Sequence, residues 1–331
     1  MKILLVCMGY DYGDPSRGRS YEYFNFYDSL RRHHEVELFD FMERQHSHGQ
    51  LDMNRQLIEA AASGSYDVAV FSLYTDQILT ETVDRVRRYT KTLCFFHDDT
   101  WRREFVQLWA PRFDWFTSSD FECQNRYGKL GLDNVVHFPF GANLDLYKPI
   151  EATKRHDVSF VGSWHPQREW LISRLRKAGI DVVVRGHGWP SGKVSHDEMI
   201  ELFSASRINL NLSNSKAWDV RLCAAMPVNF ARQLRSPKIG EQIKARQFEI
   251  NACRAFQISY YVDGLERCYR IGEEIAIYLD PDDLLAKVKY YLSDGPLRDS
   301  IANAGYARTM KDHTFEQRFA RVFAAMGLQV V

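Results

Sequence analysis

Residues 157–170 read DVSFVGSWHPQREW: an apolar run, then a glycine and a serine, then an amphipathic stretch. This order is typical of a buried strand that leads through a tight turn into a helix. The same order recurs almost from one end of the chain to the other. Because parallel strands need a crossover helix between them, the alternation predicts an α/β fold with parallel sheets.

The alternation lapses once, over residues 141–157, and then restarts. A chain of 331 residues is roughly twice the usual domain size, so the lapse predicts a linker between two domains, 1–145 and 155–312. We expect both to be doubly wound and Rossmann-like, facing each other across a cleft, with ligands at the carboxyl ends of the strands. The predicted strands are KILLVC, VELFDF, DVAVFSL, TLCFF, FDWFTS and NVVHF, then DVSFVG, IDVVVRG, INLNLS, AFQISYY and IAIYLD.

Several helix starts carry capping signals. Ser195 with Glu198, and Thr314 with Gln317, have the spacing of capping boxes, and Asp280 precedes a proline at a predicted first helical position.

The composition narrows the function classes. Lysine plus arginine equals aspartate plus glutamate, at 43 each, so no global field favours nucleic acid or an anionic membrane. The six cysteines are scattered without metal-ligand spacing, which favours a reducing cytoplasm over a disulfide framework. No run resembles a signal peptide or is long enough for a transmembrane helix. We therefore expect a soluble, cytoplasmic protein.

The loop after the first predicted strand reads MGYDYGDPSRGRSYEY, residues 8–23. It lacks GxGxxG, so the dinucleotide fingerprint is absent. A flexible loop without a ligand and a binding loop both fit this pattern. Its place at a strand end favours substrate contact, and the acceptor-binding candidates are Gly9, Tyr10, Arg19 and Tyr23, with Arg17 beside them.

The fourth predicted strand ends in CFFHDDTW, where His97, Asp98 and Asp99 are the catalytic candidates. A carboxylate or imidazole at this place can act as a base or bind a substrate hydroxyl. The alternative for Asp99 is that it caps the helix that begins near Trp101. Adjacent residues of a strand point to opposite sides, so this triplet makes a weak metal-ligand set.

The strand-end loops of the second half supply the donor-binding candidates. Backbone amides and a hydroxyl after a strand can bind a phosphate at the start of a helix, and a tight glycine loop can flank a planar base. The same loops are also common as plain turns. The candidates are Gly162, Ser163, Gly186, His187, Gly188 and Trp189.

Residues 244–256 read KARQFEINACRAF and close a segment rich in basic residues. The plain interpretation is a helix with a solvated, charged face. The alternative is a site in which Lys244 and Arg246 bind a diphosphate while Glu249 accepts hydrogen bonds from a sugar.

This segment resembles the pattern K-G-R-x-F-E-I-x-A-C-G-G-F of the CgeB-like branch of GT-B glycosyltransferases, relatives of the retaining group-1 family. The chain departs from it at Ala245, Arg254 and Ala255, where the family usually has glycines. FVGSWHPQREWLISRL, IAIYLDPDDLLAKVKYYLSD and HTFEQRFARVF also look like parts of the second domain of that family. The matching residues are Lys244, Arg246, Phe248, Glu249, Ile250, Ala252, Cys253 and Phe256.

The resemblance implies a GT-B fold in which residues 313–331 form a terminal helix that crosses back to the first domain. It implies that Glu249 binds the donor ribose and that Lys244 and Arg246 offset the charge of the leaving diphosphate, with Phe248 among the donor-binding residues. It also implies transfer of a sugar from a nucleotide-sugar co-substrate to a saccharide, small-molecule or polymer-end acceptor. Neither a metal nor a further cofactor is expected, and the stereochemical outcome is expected to be retaining.

Two other functions fit the same pattern. A cytoplasmic sensor would bind a nucleotide or sugar without chemistry, and a nucleotide-sugar epimerase would share the fold. Slow hydrolysis of nucleotide-sugars without an acceptor separates a transferase from a sensor.

Overall fold

The computed structural model describes residues 1–329 of the chain. It divides the chain into two compact units. Unit 1 comprises Met1–Asn143 together with the chain from Phe315 onward, and unit 2 comprises Leu144–Thr314. The chain therefore leaves unit 1 once and returns to it for its last helix.

Unit 1 contains a six-stranded sheet in which every pair of neighbours is parallel. The strand order is β2-β1-β3-β4-β5-β6. Each predicted apolar run of the first half forms a strand. The inner strands are mostly buried between helices, whereas Glu35–Asp40, at the edge of the sheet, is only partly buried. The strands are β1 Lys2–Cys7, β2 Glu35–Asp40, β3 Val68–Phe71, β4 Lys91–Phe95, β5 Trp115–Ser118 and β6 Val135–His137.

The helices of unit 1 begin after a π-helical turn at Tyr23–Tyr27, and short 3₁₀ turns lie at Asp11–Gly13, Pro15–Arg17 and Ala110–Arg112. They are α1 Asp28–Leu30, α2 Phe41–His48, α3 Gln50–Gly64, α4 Thr80–Val86, α5 Arg103–Trp109, α6 Cys123–Gly128 and, at the end of the chain, α15 Phe315–Ala325.

The last helix, α15, completes the aromatic core of unit 1. Phe319 is buried, with its ring centroid 5.3 Å from that of Phe26 and 5.2 Å from that of Phe138. The helix is fixed at its start, where the Phe315 amide donates to the Ala142 carbonyl and Arg318 donates to the Phe140 carbonyl. Most of the apolar face of α15 is thereby removed from water, which is the main stabilising term for such a helix.

Unit 2 repeats the plan of unit 1 with five parallel strands in the order β11-β10-β9-β7-β8. In both sheets the first strand lies between the second and the third. The two-domain α/β fold with two Rossmann-like parallel sheets is thus confirmed. The strands are β7 His156–Val161, β8 Val182–Arg185, β9 Ser206–Asn211, β10 Gln257–Tyr260 and β11 Ala276–Tyr278.

The helices of unit 2 include two of the predicted caps. The capping box of Ser195 and Glu198 is present, and Asp280 accepts hydrogen bonds from the amides of Asp282 and Asp283. The box predicted for Thr314 and Gln317 stays a prediction. The helices are α7 Pro166–Lys177, α8 His196–Ala205, α9 Val220–Ala225, α10 Pro227–Gln233, α11 Arg246–Ala252, α12 Leu265–Cys268, α13 Pro281–Ser293 and α14 Gly295–Asp312.

This strand order creates a crevice at the carboxyl edge of each sheet, where the connections diverge to opposite sides. In unit 1 the crevice lies between β1 and β3, and in unit 2 between β7 and β9. Within residues 1–329 no helix has the length and apolar character needed to cross a membrane.

Candidate functional site

The loop after β1 joins three of the predicted acceptor residues into one stack. The guanidinium of Arg19 lies 4.3 Å from the ring centre of Tyr10 and 4.3 Å from that of Tyr23. Tyr10 and Arg19 also form an antiparallel bridge across the loop. Arg17 is arranged similarly, 4.6 Å from the ring centre of Tyr12. Such cation–π contacts give an exposed loop a defined aromatic surface.

Gly9, the fourth predicted acceptor residue, is buried and has a packing role. A Cβ atom at this position would lie 2.3 Å from Oδ2 of Asp40. The carbonyl of Gly9 accepts a hydrogen bond from the Ser20 amide, which closes the base of the loop. Asp40 in turn caps α2 through the amides of Met42 and Glu43.

His97, which follows β4, belongs to a polar cluster that sequence analysis did not anticipate. Its Nε2 atom lies 2.9 Å from Oε1 of Glu22 and 2.9 Å from Oγ of Ser72. The Ser72 hydroxyl also donates to the same Glu22 oxygen over 2.8 Å. The three residues come from the segments that follow β1, β3 and β4, so the parallel sheet brings them together at the carboxyl edge of unit 1.

Glu22 is buried, yet it remains a carboxylate at neutral pH. Burial alone would raise its pKa. The hydrogen bond and charge of His97 and the hydrogen bond of Ser72 lower the pKa by more than burial raises it, so the net shift is downward. The backbone next to Glu22 is the π-helical turn Tyr23–Tyr27, a local geometry common at functional sites. The sequence gives one indication of this role of Glu22, which is its position as a carboxylate at the end of the loop after β1.

Asp99 lies inside the protein and does not cap a helix. It is 1 % exposed and accepts hydrogen bonds from the hydroxyls of Ser118, Ser119 and Tyr127. The helix α5 is instead preceded by Arg102, without a side-chain cap. The expected cap at Asp99 is therefore wrong, because the chain turns inward after His97 and the carboxylate bridges β4 to the end of β5. Burial raises the pKa of Asp99.

Asp98 remains at the surface of this edge. Its side chain is half-buried, and its charge acts on Arg102 and on the hydroxyl of Tyr12. Of the HDD triplet, His97 and Asp98 therefore border the loop after β1, whereas Asp99 binds Ser118 and Ser119 at the end of β5 and Tyr127 of α6.

In unit 2, the predicted glycine loops after β7 and β8 are packed against each other. A Cβ atom on Gly186 would lie 2.1 Å from the carbonyl oxygen of Gly162, and Gly186 has a φ of +139°. The indole of Trp189 donates to the Gly162 carbonyl over 2.9 Å, and a Cβ on Gly188 would lie 2.9 Å from that of Trp164. These glycines are required by backbone packing. Ser163 and His187 are the exposed side chains of the two loops.

Arg168 is a buried residue that connects two loops at the crevice of unit 2. Its guanidinium donates to the carbonyls of Ser163, Leu212 and Ser213, and thus ties the loop after β7 to the loop after β9. Burial lowers the pKa of this side chain to about 10, so it stays charged at neutral pH. A buried guanidinium satisfied by carbonyls adds a fixed positive charge to the floor of the crevice.

His165 directly precedes α7 and has an unusual environment. Both of its ring nitrogens are buried, and neither has a hydrogen-bond partner among residues 1–329. Burial, together with the charges of Arg168, Lys238 and Lys244, lowers its pKa to about 4. Buried polar atoms are normally paired, so a neutral imidazole with two unpaired nitrogens beside three cations is suited to bind an anion or a hydroxyl.

Glu241 lies on the opposite side of the same crevice. One carboxylate oxygen accepts from the hydroxyls of Ser213 and Ser215, while Oε2 is buried without a hydrogen-bond partner among the described residues. Its charge also acts on Arg168. The crevice thus combines one carboxylate with an excess of positive charge. Neither Glu241 nor Lys238 belongs to a recognisable sequence motif, so the fold is what brings both to this crevice.

Lys244 and Arg246, the two cations of the predicted diphosphate site, contact different elements. Lys244 donates to the Asn214 side chain after β9 and lies 5.8 Å from the ring centre of Tyr260. Arg246 contacts α8 instead. Lys244 precedes α11 and Arg246 is the first residue of the helix, so of the two cations Lys244 is the one that contacts the segment after β9.

Arg246 pairs with Glu249 over 2.7 Å. Glu249 is 3 % exposed and also accepts a hydrogen bond from the hydroxyl of Tyr147. Phe248 is fully buried, with its ring centroid 5.3 Å from that of His313. Phe248 therefore belongs to the core of unit 2, and its predicted place among the donor-binding residues stays a prediction.

No group of three or more His, Cys, Asp or Glu side chains within residues 1–329 has the geometry to hold a metal ion. Two cavities of unit 2 lie away from the crevice. One, of 570 Å³, follows the outer side of β8, and the other, of 960 Å³, lies between α8 and residues 145–155.

A known protein family matches part of the chain. Residues 167–324 match the family model described as glycosyl transferase-like. No curated protein sequence matches the chain.

Solved structures resemble the whole chain. Sucrose-phosphate synthase of Thermosynechococcus elongatus is 13 % identical with a TM-score of 0.63, covering 98 % of this chain and 100 % of that one. HepE of Anabaena, in complex with UDP and glucose, is 14 % identical with a TM-score of 0.62 and the same coverage, 98 % and 100 %.

A Listeria monocytogenes protein assigned as a UDP-N-acetylglucosamine 2-epimerase is 9 % identical, with a TM-score of 0.57 and coverage of 98 % and 95 %. At such identities the likeness concerns the fold alone, and enzymes of different chemistry share it. The chain thus has the two-Rossmann-domain fold of GT-B glycosyltransferases, and its residues 167–324 match the glycosyl transferase-like family model.

Proposed function

We propose that the protein is a glycosyltransferase of the CgeB-like branch that takes its sugar from a nucleotide-diphosphate-sugar. The observation that carries this proposal is the crevice between β7 and β9, where the unsatisfied atoms of His165 and Glu241 lie among three cations. A nucleotide-sugar carries both an anion for the cations of this crevice and hydroxyls for its unpaired nitrogen and oxygen atoms. Its diphosphate is an anion, and its ribose and hexose carry hydroxyls that donate to a carboxylate.

The diphosphate is assigned to Lys244, Lys238 and the start of α7. The field of three cations favours an anion, and it acts at the carboxyl edge where Rossmann-like sheets bind ligands. When the bond to the sugar breaks, the diphosphate gains negative charge. Cations fixed in place before the reaction stabilise that transition state more than the ground state.

The donor ribose is assigned to Glu249, with one condition that the contacts impose. Tyr147 already donates its hydroxyl to this carboxylate. A ribose hydroxyl would replace the tyrosine hydroxyl on this carboxylate, while Arg246 stays paired with it. Glu241, whose Oε2 is unsatisfied, is assigned to a hydroxyl of the transferred sugar.

The acceptor is assigned to the carboxyl edge of unit 1. The Tyr10–Arg19–Tyr23 stack offers aromatic faces and a guanidinium, which suit a saccharide, a small molecule or the end of a polymer. His97, oriented by Glu22 and Ser72, and the adjacent Asp98 supply polar contacts for a hydroxyl. We infer that transfer is retaining and needs no divalent metal or other cofactor.

The experiment is a screen of nucleotide-sugars with the purified chain, in which release of nucleoside diphosphate is measured with and without chelator. Slow release without an acceptor, faster release with an acceptor and persistence in chelator are the expected results. Activity that vanishes in chelator and returns with magnesium contradicts the metal-free mechanism. Binding without release identifies a sensor, and conversion of the sugar into its epimer identifies an epimerase.

A further inference from the structure

One surface of unit 2 is unlike the rest of the molecule. Residues 216–239, here called the basic hairpin, lie between β9 and α11 and contain the short helices α9 and α10. Five of the fourteen exposed large apolar side chains of residues 1–329 lie in this short segment. They are Trp218, Val220, Val228, Leu234 and Ile239.

Hydrogen bonds fix the shape of the hairpin, so the exposure of its side chains is not due to an unstructured loop. At its neck the Lys216 amide donates to the Lys238 carbonyl over 2.9 Å. The Gln233 side chain accepts from the amide of Ala217 and donates to the carbonyl of the same residue, at 3.1 and 2.7 Å. Gln233 is 1 % exposed and therefore fixes the neck from inside the protein.

The inner side of the hairpin is anchored on α7. Leu222 is fully buried, and the Asn229 side chain donates to Glu169 over 3.1 Å. With these residues directed inward, Trp218, Val220 and Val228 are directed to solvent, at 77 %, 83 % and 69 % exposure. An apolar group of this kind on a protein surface is typical of an interaction site.

The charges of the hairpin restrict the partner. The segment contains five basic residues and one acidic residue, Asp219. Asp219 is paired with Arg221 over 2.7 Å, so its negative charge is offset. Arg232 and Arg235 are exposed, and Arg232 lies 5.7 Å from the ring centre of Trp164. The chain as a whole has no net charge, so this positive surface is local.

We propose that the basic hairpin docks on an anionic lipid surface. Tryptophan and aliphatic side chains enter the boundary between headgroups and acyl chains, while arginine and lysine bind the anionic headgroups. A second copy of the chain is a poor partner, because a two-fold interface would place Arg232 and Arg235 near their own copies. The proposal does not depend on the sugar-transfer reaction.

The chain carries its own site for a probe of this docking. Among the six cysteines, Cys223 in α9 is exposed and the other five are buried. A thiol-reactive, environment-sensitive fluorophore on Cys223 of the full chain is mixed with vesicles of phosphatidylcholine, alone or with phosphatidylglycerol. We expect a blue shift with the anionic vesicles that weakens as salt is added.

Matched variants separate docking from general changes in the surface. Near an anionic membrane each Lys or Arg contributes about fivefold in affinity, so R232E/R235E is expected to weaken binding by roughly thirtyfold or more. Trp218→Ser is also expected to weaken it. The controls are R85E/R88E, two exposed arginines with the same spacing in unit 1, and Leu51→Ser, an equally exposed leucine. Both controls should bind as the wild type does.

Three results overturn the proposal. The first is no response to anionic vesicles, or equal losses in the hairpin variants and their controls. The second is a fluorophore response to protein concentration alone, which identifies self-association. The third is an equal response to soluble polyglutamate, which identifies an acidic protein as the partner.

Discussion

The carboxyl edges of the two sheets share one strand order but differ in how their polar groups are satisfied. In unit 1, Glu22, Ser72 and His97 satisfy one another, and Asp99 accepts from three hydroxyls. In unit 2, His165 and Glu241 keep buried atoms without partners beside an excess of cations. The polar groups of the first edge are thus already paired, whereas the second edge combines unpaired buried atoms with positive charge. The same fold therefore provides two different chemical environments at its two carboxyl edges.

The largest effect is expected on the free energy of unfolding when Asp99, at the carboxyl edge of unit 1, is replaced. Asp99→Ala leaves the hydroxyls of Ser118, Ser119 and Tyr127 without their acceptor inside the protein. The free energy of unfolding should fall by about 3 kcal/mol. Urea denaturation measures it, with Asp98→Ala, which should cost less than about 1 kcal/mol, as the control. Equal losses in both variants would contradict the structural role of Asp99.

At the cationic edge, Lys244→Ala should act on binding. Because Lys244 faces the diphosphate in our proposal, its loss should weaken a nucleoside diphosphate by about 2 kcal/mol and leave the bare nucleoside unchanged. Arg254→Ala, a cation beyond the end of α11, is the matched control. Calorimetric titration with both ligands provides the measurement. If nucleoside and diphosphate weaken equally, the diphosphate does not lie at Lys244.

Glu22→Gln tests whether the satisfied edge contributes to turnover. The amide is a poorer partner for the His97 ring, so kcat should fall about tenfold, with nucleotide affinity nearly unchanged. Glu81→Gln, an exposed carboxylate of unit 1, should have no effect. Glu22 has a lowered pKa, so its contribution to stability is present above the ordinary pKa of a glutamate and is lost as the pH falls through the lowered value. Acid denaturation of the variant should begin at a higher pH if its stability falls overall.

A smaller effect is expected from Tyr147→Phe. If a ribose hydroxyl replaces the Tyr147 hydroxyl on Glu249, removing the competitor should strengthen nucleoside binding by about 0.5–1 kcal/mol. Tyr260→Phe, which loses a buried hydroxyl at the end of β10, serves as a comparison. Unchanged nucleoside affinity in Tyr147→Phe would leave Glu249 with a structural role only.

The smallest expected effect is the uptake of a fraction of a proton by His165 when a ligand binds. The pKa of His165 is lowered to about 4 by burial and by the charges of Arg168, Lys238 and Lys244. An anion that offsets those charges raises this pKa, so binding of a nucleotide-sugar, whose diphosphate does not titrate near pH 5, should take up protons. Calorimetry in buffers of different ionisation enthalpy measures the uptake, and His165→Gln should abolish it. In the unliganded protein the same shift makes stability increase as the pH rises from about 4 to the ordinary pKa of histidine.

The strands were predictable because a buried strand has a local apolar run in its sequence, and each predicted run forms a strand. The hydrogen-bond partners of the polar residues could not be predicted from the sequence. Glu22 and His97 lie 75 positions apart, and only the parallel order of β1, β3 and β4 brings them together. Proximity in sequence was also misleading, since Lys244 and Arg246 contact different elements.

The return of α15 to unit 1 has a consequence for the order of synthesis. All of unit 2 leaves the ribosome before Phe319 and Phe323, which fill the core of unit 1. The first 143 residues must therefore wait, with part of their aromatic core exposed, while a complete second domain is made. Because domains fold as units during translation, unit 2 can reach its native state before unit 1 does.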